Sequence, residues 1–312
     1  MGETAWFADS WLKIRGDEKA RGRRGDDSIK IHTKIMGFMV VSDGEHEFYL
    51  AASRLCIVTA AEIEFKTVVG LLAESSISNE AQMKICRGRS GNRQITVLKS
   101  QIGAGGFAKR FAGHLRSNDY EALLIAGLAG ALDPKLKTGD AIVYDLCYDA
   151  RPNPVNSDLR EKKSAREENA SIFCHNDFSR FIVKTLITSG FSCFYGAGAT
   201  VDHIVTRAQE KAELRIRYNA DAVDMETYEV MRMCSMSGLE AAALRVISDE
   251  ADSNLPDFNL ALRPDGTMGH WLTASAMLIS PIAATRFLLS IRGVVNSLRD
   301  NLSAILNSTL SI

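Results

Sequence analysis

Charged residues stand where apolar runs end. In "AVDMET" (222–227), Asp224 and Glu226 flank Met225 at a point where a strand passes into a helix. In "LRVISDEAD" (244–252), Arg245 interrupts an apolar strand and Ser248-Asp249 closes it. "TAAEIE" (59–64) places Glu62 and Glu64 just after another apolar run. Carboxylates at such positions can give or take protons in a reaction. Each also has a plain structural explanation. The acids before a helix can cap it and meet its dipole, and Arg245 with a neighbouring acid can be an internal ion pair. The segment "IAGLAGALDPKLKTGDAIVYD" (125–145) adds Gly127-Leu128-Ala129-Gly130, whose small residues let a backbone approach a ligand closely. Its alternative is a tight strand-to-turn connection.

The elements around these residues alternate. Strands are expected at 55–60, a short apolar run with β-branched residues, and at 122–127, 140–147, 191–198, 220–225 and 241–249. Helices are expected at 62–72, 105–117, 178–190 and 225–238, with a last long helix from about Met268 towards Ser297. "MKICRG" and "QITVLKSQIG", divided by Ser90-Gly91-Asn92, read as a hairpin. This order predicts an α/β fold: a single domain with a mixed, mostly parallel central sheet flanked by helices. Ligands in such folds collect at the carboxyl ends of strands, where the acids above lie. Residues 1–50 include "KIRGDEKARGRRGDDSIK", charged and without apolar period, and read as a mobile N-terminal extension before a domain spanning 51–312. Residues 150–169 read as disordered or as a flap near a site.

Composition narrows the function. The 312 residues are 46% hydrophobic and 24% charged with a net charge of -1, so there is no global attraction for nucleic acid. Six cysteines share no C-x-x-C spacing and read as buried small hydrophobes of a reducing, cytoplasmic compartment. "GEHEF" (44–48) lacks the second histidine of a zinc motif, and no metal site is expected. "IGAGG" (102–106) lacks the full dinucleotide fingerprint, because position 108 is alanine. The uncharged stretch 266–285 has the length of a membrane span, but its His270, Pro281 and hydroxyls favour a core or interface helix over stable membrane insertion.

Together the segments at 125–143, 221–227 and 244–251 resemble the nucleoside phosphorylase and nucleosidase superfamily, over about residues 54–295. The resemblance implies the nucleoside phosphorylase-like fold and cleavage of a purine N-glycosidic bond. By motif match, Asp249 would be the general acid at the purine N7, with Ser248 and Arg245 orienting it or the phosphate side. Glu226 would accept hydrogen bonds from the ribose, with Met225 packed beneath the sugar. Glu64 would polarise the attacking water, with Glu62 as its alternative. Asp224, Gly127, Leu128, Ala129, Gly130, Ile204 and Val205 complete the implied substrate-binding set. Two departures stand out. Purine phosphorylases have an Arg and a Ser where this chain has Ile125 and Leu128, which favours water over phosphate. Nucleosidases tend to have an aromatic in the segment "VDHIV" (201–205) where Ile204 stands beside His203, so stacking would fall to a residue such as Phe173 or Phe258. The segment 248–266 also resembles the bacterial hopanoid-associated phosphorylases. The resemblance therefore implies a cytoplasmic hydrolytic nucleosidase acting on an adenosine-type small molecule, without cofactor, as a homo-oligomer. A phosphate-dependent enzyme on a lipid-linked adenosine is the alternative, and a nucleoside-binding protein without turnover is the alternative of another class.

Overall fold

The apolar run at 55–60 forms β1 (Arg54–Thr59), buried along all but its first residue. It leads through Ala60 and Ala61 into α1 (Glu62–Val69). The computed structural model describes residues 53–81, 83–100, 107–152, 170–261, 278–279 and 281–308. The hairpin expected around Gly91 is present: β3 (Met83–Ser90) and β4 (Arg93–Lys99) pair antiparallel, with Gly91 at φ +57. β2 (Ala73–Glu80) adds to it antiparallel. The other strands are β5 (Ala122–Ala131), β6 (Ala141–Asp149), β7 (Ser171–Phe173), β8 (Cys193–Thr200), β9 (Ala222–Asp224) and β10 (Ala241–Asp249). The other helices are α2 (Phe107–Arg116), α3 (Asp177–Thr188), α4 (Ala208–Tyr218), α5 (Thr227–Met236) and α6 (Pro281–Asn307).

All ten strands of the described residues belong to one mixed sheet, ordered β10-β6-β8-β9-β5-β1-β4-β3-β2 with β7 beside β6. β10 also pairs with β5, so the path β5, β10, β6, β8, β9 closes back on β5. Parallel pairs join β4, β1, β5 and β10 in turn, as well as β6, β8 and β9. β5 is buried on both faces. Leu123 and Ile125 enter one cluster with Tyr228, Met231 and Cys234 of α5. Ala122, Leu124 and Ala126 enter another with Phe65 of α1, Ile182 of α3 and Leu298 of α6. The period-two alternation thus serves two helical layers.

Several elements differ from expectation. β5 does not stop at Gly127 but continues as strand to Ala131, because Gly127 to Gly130 pair with β10 and Gly130 with β9. α1 ends at Val69 rather than near residue 72, with Gly70 as its C-cap, and the chain then turns into β2. β2, β7 and α4 have no counterpart in the elements read from the sequence. The extension at 1–50, the glycine segment 102–106, nearly all of 150–169, and the start of the last helix near Met268 lie outside the described residues. Among the described residues no helix is long and apolar enough to cross a membrane.

Candidate active site

The register of β5 against β10 places Arg245 opposite Gly127 and Asp249 opposite Gly130. Four residues of β5 (127–130) face five of β10 (245–249), and an irregularity between Ile247 and Asp249 absorbs the extra residue. Such a bulge re-aims the side chains beside it. Gly127 is the first convergence point. A methyl group built there would lie 2.6 Å from Nη1 of Arg245 and 2.7 Å from Oε1 of Glu64. Only glycine leaves that space open.

Glu64 reaches the point from the first turn of α1. Its Oε2 accepts the N–H groups of Ala60 and Ala61, both at 2.8 Å, and its Oε1 accepts that of Leu128 at 2.8 Å. The carboxylate is thus fixed by orphan donors of the helix start and of β5. Glu62, its alternative, turns away. It takes Lys84 and Lys99 at 2.7 Å each, and these hydrogen bonds lower its pKa to about 2. Residues two apart on a helix point to different faces, so Glu64 faces Gly127 while Glu62 joins a surface ion network.

Arg245 is 1% exposed. Its Nε lies 3.1 Å from Asp224 and its Nη2 3.5 Å from Glu226. Both nitrogens also donate to Thr227 Oγ1, at 3.2 and 2.7 Å. Burial opposes its charge, but Asp224, Glu226, Tyr144 and Glu64 outweigh it and raise the guanidinium pKa. Asp224 faces inward. It accepts from Thr200 Oγ1 at 2.8 Å, from the N–H groups of Glu226 and Thr227 at 3.1 Å, and from Thr227 Oγ1. Its carboxylate therefore anchors Arg245 and caps α5, with both of its oxygens engaged by the protein itself. Glu226, 11% exposed, stands at the N-cap of α5. Burial raises its pKa to about 8, with Asp224 and Glu64 adding to the effect against Arg245.

The second convergence point lies about 10 Å further along β5, three residues at ~3.3 Å each. Here Asp249 is buried beside Gly130. Ser248 Oγ donates to its Oδ1 at 2.5 Å and lies 3.2 Å from the Ala129 carbonyl. Lys211, in the first turn of α4, donates to its Oδ2. Nothing in the sequence reading singled out Lys211.

Ile204 and Val205, expected on the base side, lie in a stitched loop before α4. Asn259 accepts the Ile204 N–H and donates to the Ile204 carbonyl, both at 2.8 Å, as a strand partner would. Val205 is buried, and Met225 packs beside Leu132, Val201 and Val223. Phe258 is buried next to Asn259, whereas Phe173 is 81% exposed on β7, beside Met231 and Leu239 in an outer groove. Phe173 is thereby removed as a stacking partner. Arg87 is engaged by Glu80 at 2.5 and 2.9 Å.

The arrangement offers two kinds of chemistry. One end holds carboxylates around a buried cation, suited to a polar, hydroxyl-bearing group and a water molecule. The other end holds a single hydrogen-bonded acid, suited to proton transfer.

Known proteins share the fold. The chain is 25% identical over 202 residues to a 5'-methylthioadenosine/S-adenosylhomocysteine nucleosidase of Glaesserella parasuis, covering 64% of this chain and 86% of the relative. It is 24% identical over 170 residues to an aminodeoxyfutalosine nucleosidase of Campylobacter jejuni, covering 51% and 69%. Among solved structures, the futalosine hydrolase of Helicobacter pylori matches with a TM-score of 0.63 at 18% identity, over 82% of this chain and 98% of that one. The family model described as the Phosphorylase superfamily matches residues 54–284, and the chain belongs to that superfamily.

Proposed function

We propose that the protein hydrolyses the N-glycosidic bond of an adenosine-type nucleoside and releases the purine base. The observation that carries this reading is the spacing of the two convergence points along β5 and β10, with Glu64, Glu226 and Arg245 at one and Asp249 at the other. A nucleoside has the same polarity of demands, a ribose that gains positive charge at one end and a base that must take a proton at the other. Water held between Glu64 and Arg245 at Gly127 attacks C1′ and gives its proton to Glu64. The bond from C1′ to the base nitrogen breaks, and Asp249, entering the step as the carboxylic acid with a proton taken from solvent, gives that proton to N7 and is left as the carboxylate that Ser248 and Lys211 hold. Glu226 accepts hydrogen bonds from the ribose hydroxyls. The nucleosidase names of the relatives support the reaction class.

The catalytic domain is assigned to residues 51–312, in keeping with a family match that begins at 54. All six cysteines are free thiols, which supports a cytoplasmic setting. Leu278, Ile279 and Leu289 are each more than three-quarters exposed, and exposed large apolar side chains of this kind support self-association. Sedimentation at micromolar concentration is expected to give a species heavier than one chain, and a single-chain mass would remove the oligomer from the proposal.

The test of function follows free base and sugar products from 5'-methylthioadenosine and adenosine. Free base with a free ribose-type sugar is the expected result. Stoichiometric binding without turnover would instead identify a nucleoside-binding protein.

A further inference from the structure

Lys211 is out of place by ordinary physical rules. Its side chain is 0% exposed, and full burial of an ammonium costs several kcal/mol unless it is well paired. It also lies in the first turn of α4, the end of a helix where the dipole disfavours cations. Its three donors are all used: one on Asp249 Oδ2, one on the Glu250 carbonyl at 2.7 Å, and one on the Ser253 carbonyl at 3.1 Å. A residue with two penalties and one carboxylate partner is spending stability to hold that carboxylate.

The surroundings show what else it holds. α4 follows directly on the loop of Ile204 and Val205. The segment after Asp249 is sewn to that loop: Leu255 N–H donates to the Thr206 carbonyl at 2.8 Å, and Ala208 N–H donates to Asn254 Oδ1 at 2.9 Å. Asn259 then takes both backbone groups of Ile204. Lys211 is the charged joint of this seam, linking the end of β10 to the wall beside the base.

We propose that Lys211 is a positioning residue of the reaction: its buried ammonium fixes the Asp249 carboxylate and locks it to the base-side loop. This rests on the proposed role of Asp249 as the proton donor. Misplacing a reacting group by about 1 Å costs on the order of 100-fold in rate. The proposed ribose contacts at Gly127 and the Asn259 bonds to Ile204 do not involve Lys211, so the loss falls on kcat.

The experiment is a double-mutant cycle with 5'-methylthioadenosine as substrate. Lys211→Met is expected to lower kcat about 10- to 100-fold while KM changes less than about threefold. Lys211→Gln, which keeps a donor on a shorter stem, is expected to recover part of the loss. In the Asp249→Asn background, Lys211→Met is expected to cost less than about threefold more, because a residue acting through Asp249 has little left to lose. Wild-type kcat in Lys211→Met, or a loss that multiplies in full with that of Asp249→Asn, would overturn the proposal. Full activity in Asp249→Asn alone would point to a failure of the acid assignment instead. If circular dichroism shows Lys211→Met unfolded, Lys211→Gln carries the same comparisons.

Discussion

Asp249 and Glu226 are both buried carboxyl groups, yet their surroundings set them different tasks. Asp249 has a hydroxyl on one oxygen and an ammonium on the other. Asp249→Asn keeps this shape but cannot deliver a proton. Turnover is expected to fall by about two to four decades, since general acid catalysis contributes that much, and the unfolding midpoint is expected to fall as well, because the buried Lys211 ammonium loses its carboxylate partner. Near-wild-type rates would return Asp249 to a structural role. Glu226 sits instead among Asp224 and Glu64 around one guanidinium, and burial raises its pKa from 4.5 to about 8. A carboxyl raised on folding binds its proton more tightly in the native state. The stability it contributes is complete below about 4.5 and is lost as pH rises through about 8. The unfolding midpoint of the ligand-free protein should therefore fall between pH 6 and pH 9, and by less in Glu226→Gln. Equal falls in the two proteins would show that Glu226 does not titrate there.

The pairing of β5 with β10 is what brings the ribose-side groups together, and Gly127 is its tightest point. In Gly127→Ala the added methyl meets Arg245 and Glu64, both buried and both fixed by hydrogen bonds. Overpacking of this kind costs about 1–3 kcal/mol, and the displaced guanidinium also loses its place beside Glu226. A lowered denaturant midpoint together with lost turnover is expected, and a wild-type midpoint would show that the space is not filled as described. Much of this arrangement was legible in the sequence. Arg245, Asp249, Glu226 and Glu64 are charges at or near the ends of apolar runs, so their positions contrast with their neighbours. The glycines marked a close approach, although they lie within a strand and not a turn. Lys211 was not legible, because "RAQEKAELR" surrounds it with other polar residues and only the tertiary fold buries it. Asn259 was hidden likewise, as its partner lies 55 residues away. β2, "AESSISNE", is largely exposed and is held by pairing to β3 alone, so it carries no apolar signal. Glu62 and Glu64 could be separated only once the faces of α1 were known.

At the scale of the whole molecule the question is which nucleophile the closed set of strands admits. A phosphate dianion entering a concave, partly dry pocket needs several charge-assisted donors. At the ribose end, Ile125 is buried in the core and the Leu128 N–H is already given to Glu64. The buried guanidinium of Arg245 is shared between Asp224 and Glu226, with Glu64 also facing the opening at Gly127. With Asp224 and Glu64 beside the guanidinium and the Glu226 carboxyl holding its proton at neutral pH, no positive charge is left over for a second anion, and a neutral nucleophile is favoured. Of the other arginines that could assist, Arg87 is engaged by Glu80 and Arg207 is exposed at the N-cap of α4. Turnover of 5'-methylthioadenosine is therefore expected to proceed equally in phosphate-free buffer and with millimolar phosphate, with the sugar released free in both. Strict phosphate dependence with a ribose-1-phosphate product would overturn the hydrolytic reading. It would also mean that donors outside the Gly127 end of the site bind the anion, and the phosphorylase alternative would take its place.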